Sequence, residues 1–243
     1  MPPVSQPIEY RDGNTPLSGL LFTDPDRTQK KPGLFLVHAG SGLDDHAKGR
    51  AQYYAELGFV VFACDMYGLG VIGNRERIMA TLGEMRSDPG KLCQRARAGL
   101  DILTAHPQVD GRIAAIGYCF GGMTVLQMAR SGMDLAAAVS VHGSLATVQP
   151  ATPGSIKANI LVCHGALDSH VPMPHVTAFV DEMKEAGADW QLIMYGGALH
   201  GFTHQAPSPF PGVAYNAAAD ARSTVAIKDF FNEVFGPPDS WEV

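Results

Sequence analysis

Short, almost unbroken apolar runs alternate along the chain with stretches whose apolar residues recur every three or four positions. The runs are Leu34-Phe-Leu-Val-His38, Phe59-Val-Val-Phe-Ala-Cys-Asp65, Ile113–Tyr118, Leu135–Val141, Asn159–Cys163 and Trp190–Tyr195. Each has strand length and few polar positions, the pattern of a strand covered on both faces. The stretches between predict helices from Asp44 or Asp45 to Leu57, over Asp88–Ala105, Gly121–Arg130 and Pro174–Ala186, and from Tyr215 to Val234. Ile8–Tyr10 and Leu17–Thr23 read as an opening hairpin around Asp12-Gly13-Asn14, followed by a polar loop over 24–31. Residues 66–90 are looser and rich in Gly and Arg, with one short helix expected over Arg77–Leu82. Strands alternating with helices predict an α/β fold, a mostly parallel central sheet with helices on both faces. No Ser/Gly linker, composition shift or internal repeat interrupts the pattern, so one domain over residues 1–243 is expected.

Composition narrows the function classes. With 46% hydrophobic and 17% charged residues, 243 residues can bury a sizeable core. A net charge of −6 and the lack of a basic stripe argue against a nucleic-acid partner. The start, Met1 to Tyr10, has neither the basic opening nor the apolar stretch of a signal peptide. No apolar run approaches the roughly 18 residues of a membrane span. The four cysteines, Cys64, Cys93, Cys119 and Cys163, are scattered and form no CxxC pair, which argues against a disulfide framework. A cytoplasmic protein without membrane contact, monomeric or a small homo-oligomer, is the expectation.

The chemistry gathers at the predicted strand ends, where open α/β sheets place functional groups. Gly117-x-Cys119-x-Gly121, between a predicted strand and a predicted helix, is a nucleophile-elbow pattern with a thiol in the nucleophile's place. The turn lifts the sulfur above the sheet, and the following helix N-terminus favours thiolate. The other strands end at His38, Asp65, His142, His164 to Asp168, and His200. Cys119 as nucleophile, His200 as proton relay and Asp168 as the partner of the imidazole make a triad. Their order along the chain is that of the α/β-hydrolases. The oxyanion donors expected are the backbone N–H groups of Phe120 and Gly40, with Ser41 and His38 as alternatives to Gly40. No metal is expected from His200 and His204, which lie in a proline-rich loop without HExxH. Cys119 occupies the middle position of a would-be GxGxxG, so no dinucleotide or other cofactor is expected either.

These segments resemble the dienelactone hydrolase family of the α/β-hydrolases over nearly the whole chain. The likeness lies in His38–Gly42 with Leu43-Asp-Asp-His46, Phe59–Asp65 with Met66-Tyr-Gly68, Gly117-Tyr-Cys-Phe-Gly-Gly122, His164-Gly-Ala-Leu-Asp168, Ala198-Leu-His-Gly-Phe202 and Ala214–Ser223. The resemblance implies an α/β-hydrolase fold. It also implies hydrolysis of a small lactone or carboxylic ester through a cysteine acyl-enzyme, with Cys119, Asp168 and His200 as the triad. The family commonly carries a glutamate near the thiol where this chain has Ala39. That departure predicts slower acylation or a different resting protonation, with Cys119 and His200 already an ion pair. Family members grip a substrate carboxylate with arginine; Arg75, Arg77 and Arg86 are the candidates here, and His204 stands where another cation is wanted. His38, Ala39, Tyr67, Tyr118, Phe202 and His204 are the expected pocket residues. Rival readings are a general carboxylesterase or thioesterase with the same triad, and a catalytically weak ligand-binding member of the fold.

Overall fold

The computed structural model describes residues 3–26 and 28–238. Arg27 of the polar loop, and Met1 and Pro2 of the N-terminal stretch, lie outside the described residues. Two antiparallel strands, β1 (Val4–Asp12) and β2 (Thr15–Thr23), open the chain as a hairpin. β3 (Lys31–Val37), α1 (Asp45–Glu56) and β4 (Val60–Cys64) follow. Then come α2 (Arg75–Ser87), α3 (Pro89–Thr104), β5 (Val109–Tyr118), α4 (Phe120–Arg130) and β6 (Ala137–Val141). β7 (Asn159–Gly165), α5 (Met173–Ala186), β8 (Trp190–Tyr195) and α6 (Ala217–Phe235) complete it.

The strands form one eight-stranded sheet in the order β1-β2-β4-β3-β5-β6-β7-β8. β3 to β8 are parallel, and β2 joins β4 antiparallel. Alternation along each strand divides the core. Leu34 and Leu36 of β3 point to the side of α1 and α6, into a cluster with Tyr54, Phe230 and Phe231. Phe35 and Val37 point the other way, to Leu100 of α3, Leu126 of α4 and Phe179 of α5. This is the two-faced burial that the continuous apolar runs predict. No described helix is long and apolar enough to cross a membrane.

The Gly/Arg-rich segment departs from expectation. α2 spans Arg75–Ser87, longer than the short helix foreseen, because only Leu82 and Met85 are buried and the rest carries little apolar periodicity. Asn74 caps its start by accepting the N–H of Arg77, and Asp88 caps α3 by accepting that of Lys91. On α3, Arg95 pairs with Asp12 at 2.6 Å and donates to the Met66 carbonyl. This nearly dry pair ties the helix both to the hairpin and to the loop beyond β4.

The β5–α4 turn is the tightest packing in the sheet. Cys119 has φ +54° and ψ −110°, a left-handed backbone costly for a residue with a β-carbon. A Cβ on Gly117 would lie 2.0 Å from the Gly121 carbonyl oxygen, and one on Gly121 would lie 2.1 Å from that of Val37. Both glycines are therefore required for the helix to press backbone-to-backbone on the sheet. Gly121→Ala is expected to cost about 3 kcal/mol or more by overpacking. That lowers Tm by roughly 6–12 °C in a chain of this size; thermal unfolding within about 2 °C of wild type would contradict it.

Candidate active site

The three strand-end residues meet. His200 lies between the other two, its Nε2 3.0 Å from Cys119 Sγ and its Nδ1 2.7 Å from Asp168 Oδ2. Each arrives from a different element: Cys119 from the elbow, Asp168 from the turn after β7, and His200 from the loop after β8. The other carboxylate oxygen of Asp168 accepts the N–H groups of His170 and Val171, which fixes its orientation. The backbone of His200 is held from the far side, its N–H donating to the Gly212 carbonyl and its own carbonyl accepting from Ala214. The ring of His170 stacks on that of His200 at 5.0 Å.

The electrostatics of these groups favour charge separation. Burial pushes the Cys119 thiol up, but the hydrogen bond and charge of His200, the Phe120 N–H and the Arg86 charge outweigh it and hold the thiol below its ordinary range. Burial lowers His200, yet its hydrogen bonds to Asp168 and Cys119 raise it to about 10. Burial also opposes ionisation of Asp168, and its bonds to His200 and two backbone amides keep the carboxyl below the usual range. The shifts of all three groups run toward thiolate, imidazolium and carboxylate and away from their neutral forms.

The sulfur opens into a cleft of about 340 Å³. Phe120, Met123, Ala146, Val148 and Val171 supply apolar wall, while Ser144, Thr147, His170 and Arg86 supply polar groups. The 144–148 wall is held from behind by Arg130, which pairs with Glu182 at 2.8 Å and donates to the Leu145 carbonyl. Glu182 also accepts the Ala151 N–H.

Of the arginines foreseen near the mouth, Arg86 lines the cleft. Arg75 lies over the Phe210 ring and Arg77 donates to the Gly70 carbonyl.

Several expected pocket residues lie elsewhere. Tyr118 is the last residue of β5, and its side chain is buried on the α1/α6 side of the core. There its hydroxyl meets that of Tyr54 at 3.0 Å, beneath the Arg50 guanidinium. Phe202 is fully buried against Tyr195 and His142. His204 stacks on His46 at 3.8 Å, and burial keeps it below the ordinary histidine range, so it supplies no cation at neutral pH. His38, Ala39 and Tyr67 lie beneath the loop at Gly40 and do not line the cleft. His38 Nε2 accepts the Met66 N–H, which leaves Nδ1 as the donor to the Ala39 carbonyl at 2.6 Å. The opposite edge of that same planar peptide carries the Gly40 N–H. The Tyr67 hydroxyl holds the Gly40 carbonyl at 2.8 Å, and its ring stacks on Phe120.

Met123 and His170 went unnoticed in the sequence although spacing marks them both. Met123 follows Phe120 by one helical turn, and His170 stands two residues past Asp168. The 144–148 segment carries no such signal. Among the described residues no group of three or more His, Cys, Asp or Glu is placed to hold a metal ion.

Comparison with known proteins agrees with this architecture. The dienelactone hydrolase family profile matches residues 17–235. A solved dienelactone hydrolase-like promiscuous phosphotriesterase from metagenomic libraries is 38% identical, with a TM-score of 0.90 over 97% of this chain and 100% of that one. An uncharacterized protein of Caenorhabditis elegans is 38% identical over 154 residues, 60% of this chain and 96% of its own. A carboxymethylenebutenolidase homolog of Mus musculus is 27% identical over 95 residues, 39% of this chain and 38% of its own. A family match over this much of the chain, on an eight-stranded α/β sheet, is decisive: the chain belongs to the dienelactone hydrolase family of carboxylic ester hydrolases.

Proposed function

We propose that the chain hydrolyses a small lactone or carboxylic ester through an acyl-enzyme on Cys119. The observation that carries this reading is the unbroken path from Cys119 Sγ through His200 to Asp168 at the floor of an open cleft. The thiolate adds to the substrate carbonyl, and the N–H groups of Phe120 and Gly40 receive the developing oxyanion. Collapse of the tetrahedral adduct breaks the C–O bond, and His200 Nε2–H gives its proton to the departing alkoxide. His200, now neutral, takes a proton from water, whose oxygen attacks the thioester; the acid leaves and the thiolate returns, with His200 protonated again. Asp168 keeps the ring oriented and stabilises its charged form. In a lactone the alcohol stays tethered to the acyl chain, so deacylation competes with ring closure.

Ala39 cannot accept a proton, and the ion pair replaces that step. The thiolate needs no base to form it, since His200 already holds the proton. Arg86 is the guanidinium that lines the cleft, which favours substrates bearing a carboxylate or another anionic group some distance from the scissile bond. Phosphotriester hydrolysis is a second reading, supported by the description of the 38% identical whole-chain relative as a promiscuous phosphotriesterase.

Mass spectrometry after brief mixing with dienelactone, p-nitrophenyl acetate, an acyl-thioester or diethyl p-nitrophenyl phosphate tests both readings. The expected result is a transient acyl adduct on Cys119 with the ester or lactone, and turnover reduced about 10⁴-fold or more in Cys119→Ala. Turnover without an adduct, or unaltered in the variant, would remove Cys119 as nucleophile. A preference for the phosphate would promote the second reading, one for the thioester a thioesterase, and binding without turnover a ligand-binding role.

The pH dependence has a definite sign. The Cys119 pKa is lowered, so the thiolate persists below the ordinary thiol range and is lost only as acid protonates it. The His200 pKa is raised to about 10, so the proton donor is lost only on the alkaline side. Thiol alkylation should therefore titrate below the ordinary thiol range, and kcat/KM should form a plateau between the two limbs. Alkylation that rises through pH 8.5 would mean that the resting pair is neutral.

Arg86→Ala should reduce the preference for a carboxylate-bearing ester over its neutral analogue by roughly tenfold, about 1.4 kcal/mol. An unchanged ratio would make Arg86 a wall residue only.

A further inference from the structure

One buried side chain beside the thiol has no part in the reaction steps above. His142, the residue after β6, is fully buried, and its φ is +41°, a left-handed backbone that residues other than glycine rarely keep. Its Nδ1 lies 3.1 Å from the backbone nitrogen of Cys119, whose N–H is shared with the Val141 carbonyl at 3.0 Å. Its Nε2 lies 2.8 Å from the Thr203 hydroxyl, three residues past His200. The His142 ring also meets the His200 ring at 5.6 Å, near edge-on.

These contacts determine the state of the ring. A backbone amide only donates, so Nδ1 must present its lone pair, and the proton sits on Nε2, facing Thr203. Burial, and then the charge of His200 with His204 and His46 nearby, hold the imidazole neutral. Protonation would turn an N–H toward the N–H of Cys119. The location matters as much as the state. In the sheet β6 lies next to β5 and separates it from β7 and β8, so the residue at the end of β6 stands between the elbow and the loop that brings His200.

We propose that His142 is a positioning residue for the hydrolysis, coupling the amide of the nucleophile to the His200 loop through Thr203 and thereby setting the Cys119–His200 separation. This rests on Cys119 being the nucleophile. The elbow and the histidine loop are otherwise attached to different strands, and each could shift without the other. A displacement of about 1 Å between reacting groups costs on the order of 100-fold in rate, so a cross-link of two hydrogen bonds at this point governs the chemical step. Thr203 extends the link, since its hydroxyl also lies 3.1 Å from His46 Nε2 on α1.

The test uses Thr203→Val, His142→Asn and His142→Ala in the full chain. Thr203→Val leaves the imidazole and removes its partner. His142→Asn suits the left-handed backbone, and its side-chain oxygen can accept the Cys119 N–H without reaching Thr203. The readouts are kcat and KM for p-nitrophenyl acetate and the pH profile of iodoacetamide alkylation, with thermal unfolding as a check on folding. Thr203→Val and His142→Asn should each lower kcat roughly tenfold or more with KM within about twofold, and raise the thiol pKa toward its free value. His142→Ala should lose more than His142→Asn; if it does not fold, Thr203→Val carries the test. Folded Thr203→Val and His142→Asn with wild-type kcat and alkylation profile overturn the proposal, as does a change confined to KM. If the wild type itself forms no adduct on Cys119, the nucleophile assignment fails first, visible before any variant is compared, and this proposal falls with it.

Discussion

The rest of the site depends on one contact, the approach of α4 to the sheet without any side chain between them. Gly121 lies against the Val37 and His38 carbonyls, and Gly117 against the Gly121 carbonyl. At that distance the chain has no relaxed route from strand to helix, and Cys119 takes up the difference in its positive φ. Every residue of α4 is buried, so the helix cannot tilt away to relieve it. The strain is small beside the apolar area buried along the helix, and it leaves the sulfur raised above the sheet with the Phe120 N–H directed at it.

That placement bears on how the proposed thiol nucleophile would act without the acid that commonly accompanies it in the family. A carboxylate next to a thiolate repels it, and it helps only by taking the thiol's proton. This chain has Ala39 at that position, packed among apolar residues with its carbonyl held by His38. The nearby charge is instead the guanidinium of Arg86, which favours the thiolate at rest. On the proposed mechanism the proton that a glutamate would have taken rests on His200, whose raised pKa Asp168 supports. The proposed reaction would then start from an ion pair in place of proton transfer at the moment of binding.

The fold was almost wholly legible because its signals are local and redundant. Continuous apolar runs mark the core strands, so one could be placed from Leu34–Val37 alone, while Asp44 and Asp88 cap α1 and α3 and Gly187 ends α5. The convergence of Cys119, His200 and Asp168 was legible for a different reason: parallel strands bring their ends together, so residues just past several strands lie near one another. The cleft wall was not. Tyr118 and Phe202 were assigned to it by nearness in sequence to Cys119 and His200, yet strand alternation and a tight turn send them to the far side of the sheet. Ala146 and Val148, which do line it, sit in an irregular loop whose position comes from Arg130 and Glu182 on two distant helices. Such a long-range anchor leaves no periodic trace. α2 fell between these cases, since its ends are capped but only two of its residues are buried.

The histidines show how strongly hydrogen-bond partners separate side chains that are similarly buried. His200 and His142 stand 5.6 Å apart, both nearly shielded from water. His200 has a carboxylate on one nitrogen and a thiol on the other, and both partners reward its charge. His142 has an amide N–H on one side and a neutral hydroxyl on the other, and neither does. His46 and His204, stacked on each other behind the site, are likewise held neutral, His46 pushed down to about 3 by burial and by the positive groups around it. Of His200, His142, His46 and His204, only the ring that faces the sulfur has its pKa raised. Were the neutral rings to charge as well, their repulsion would drive the proton off His200. Their neutrality therefore favours the charge on His200.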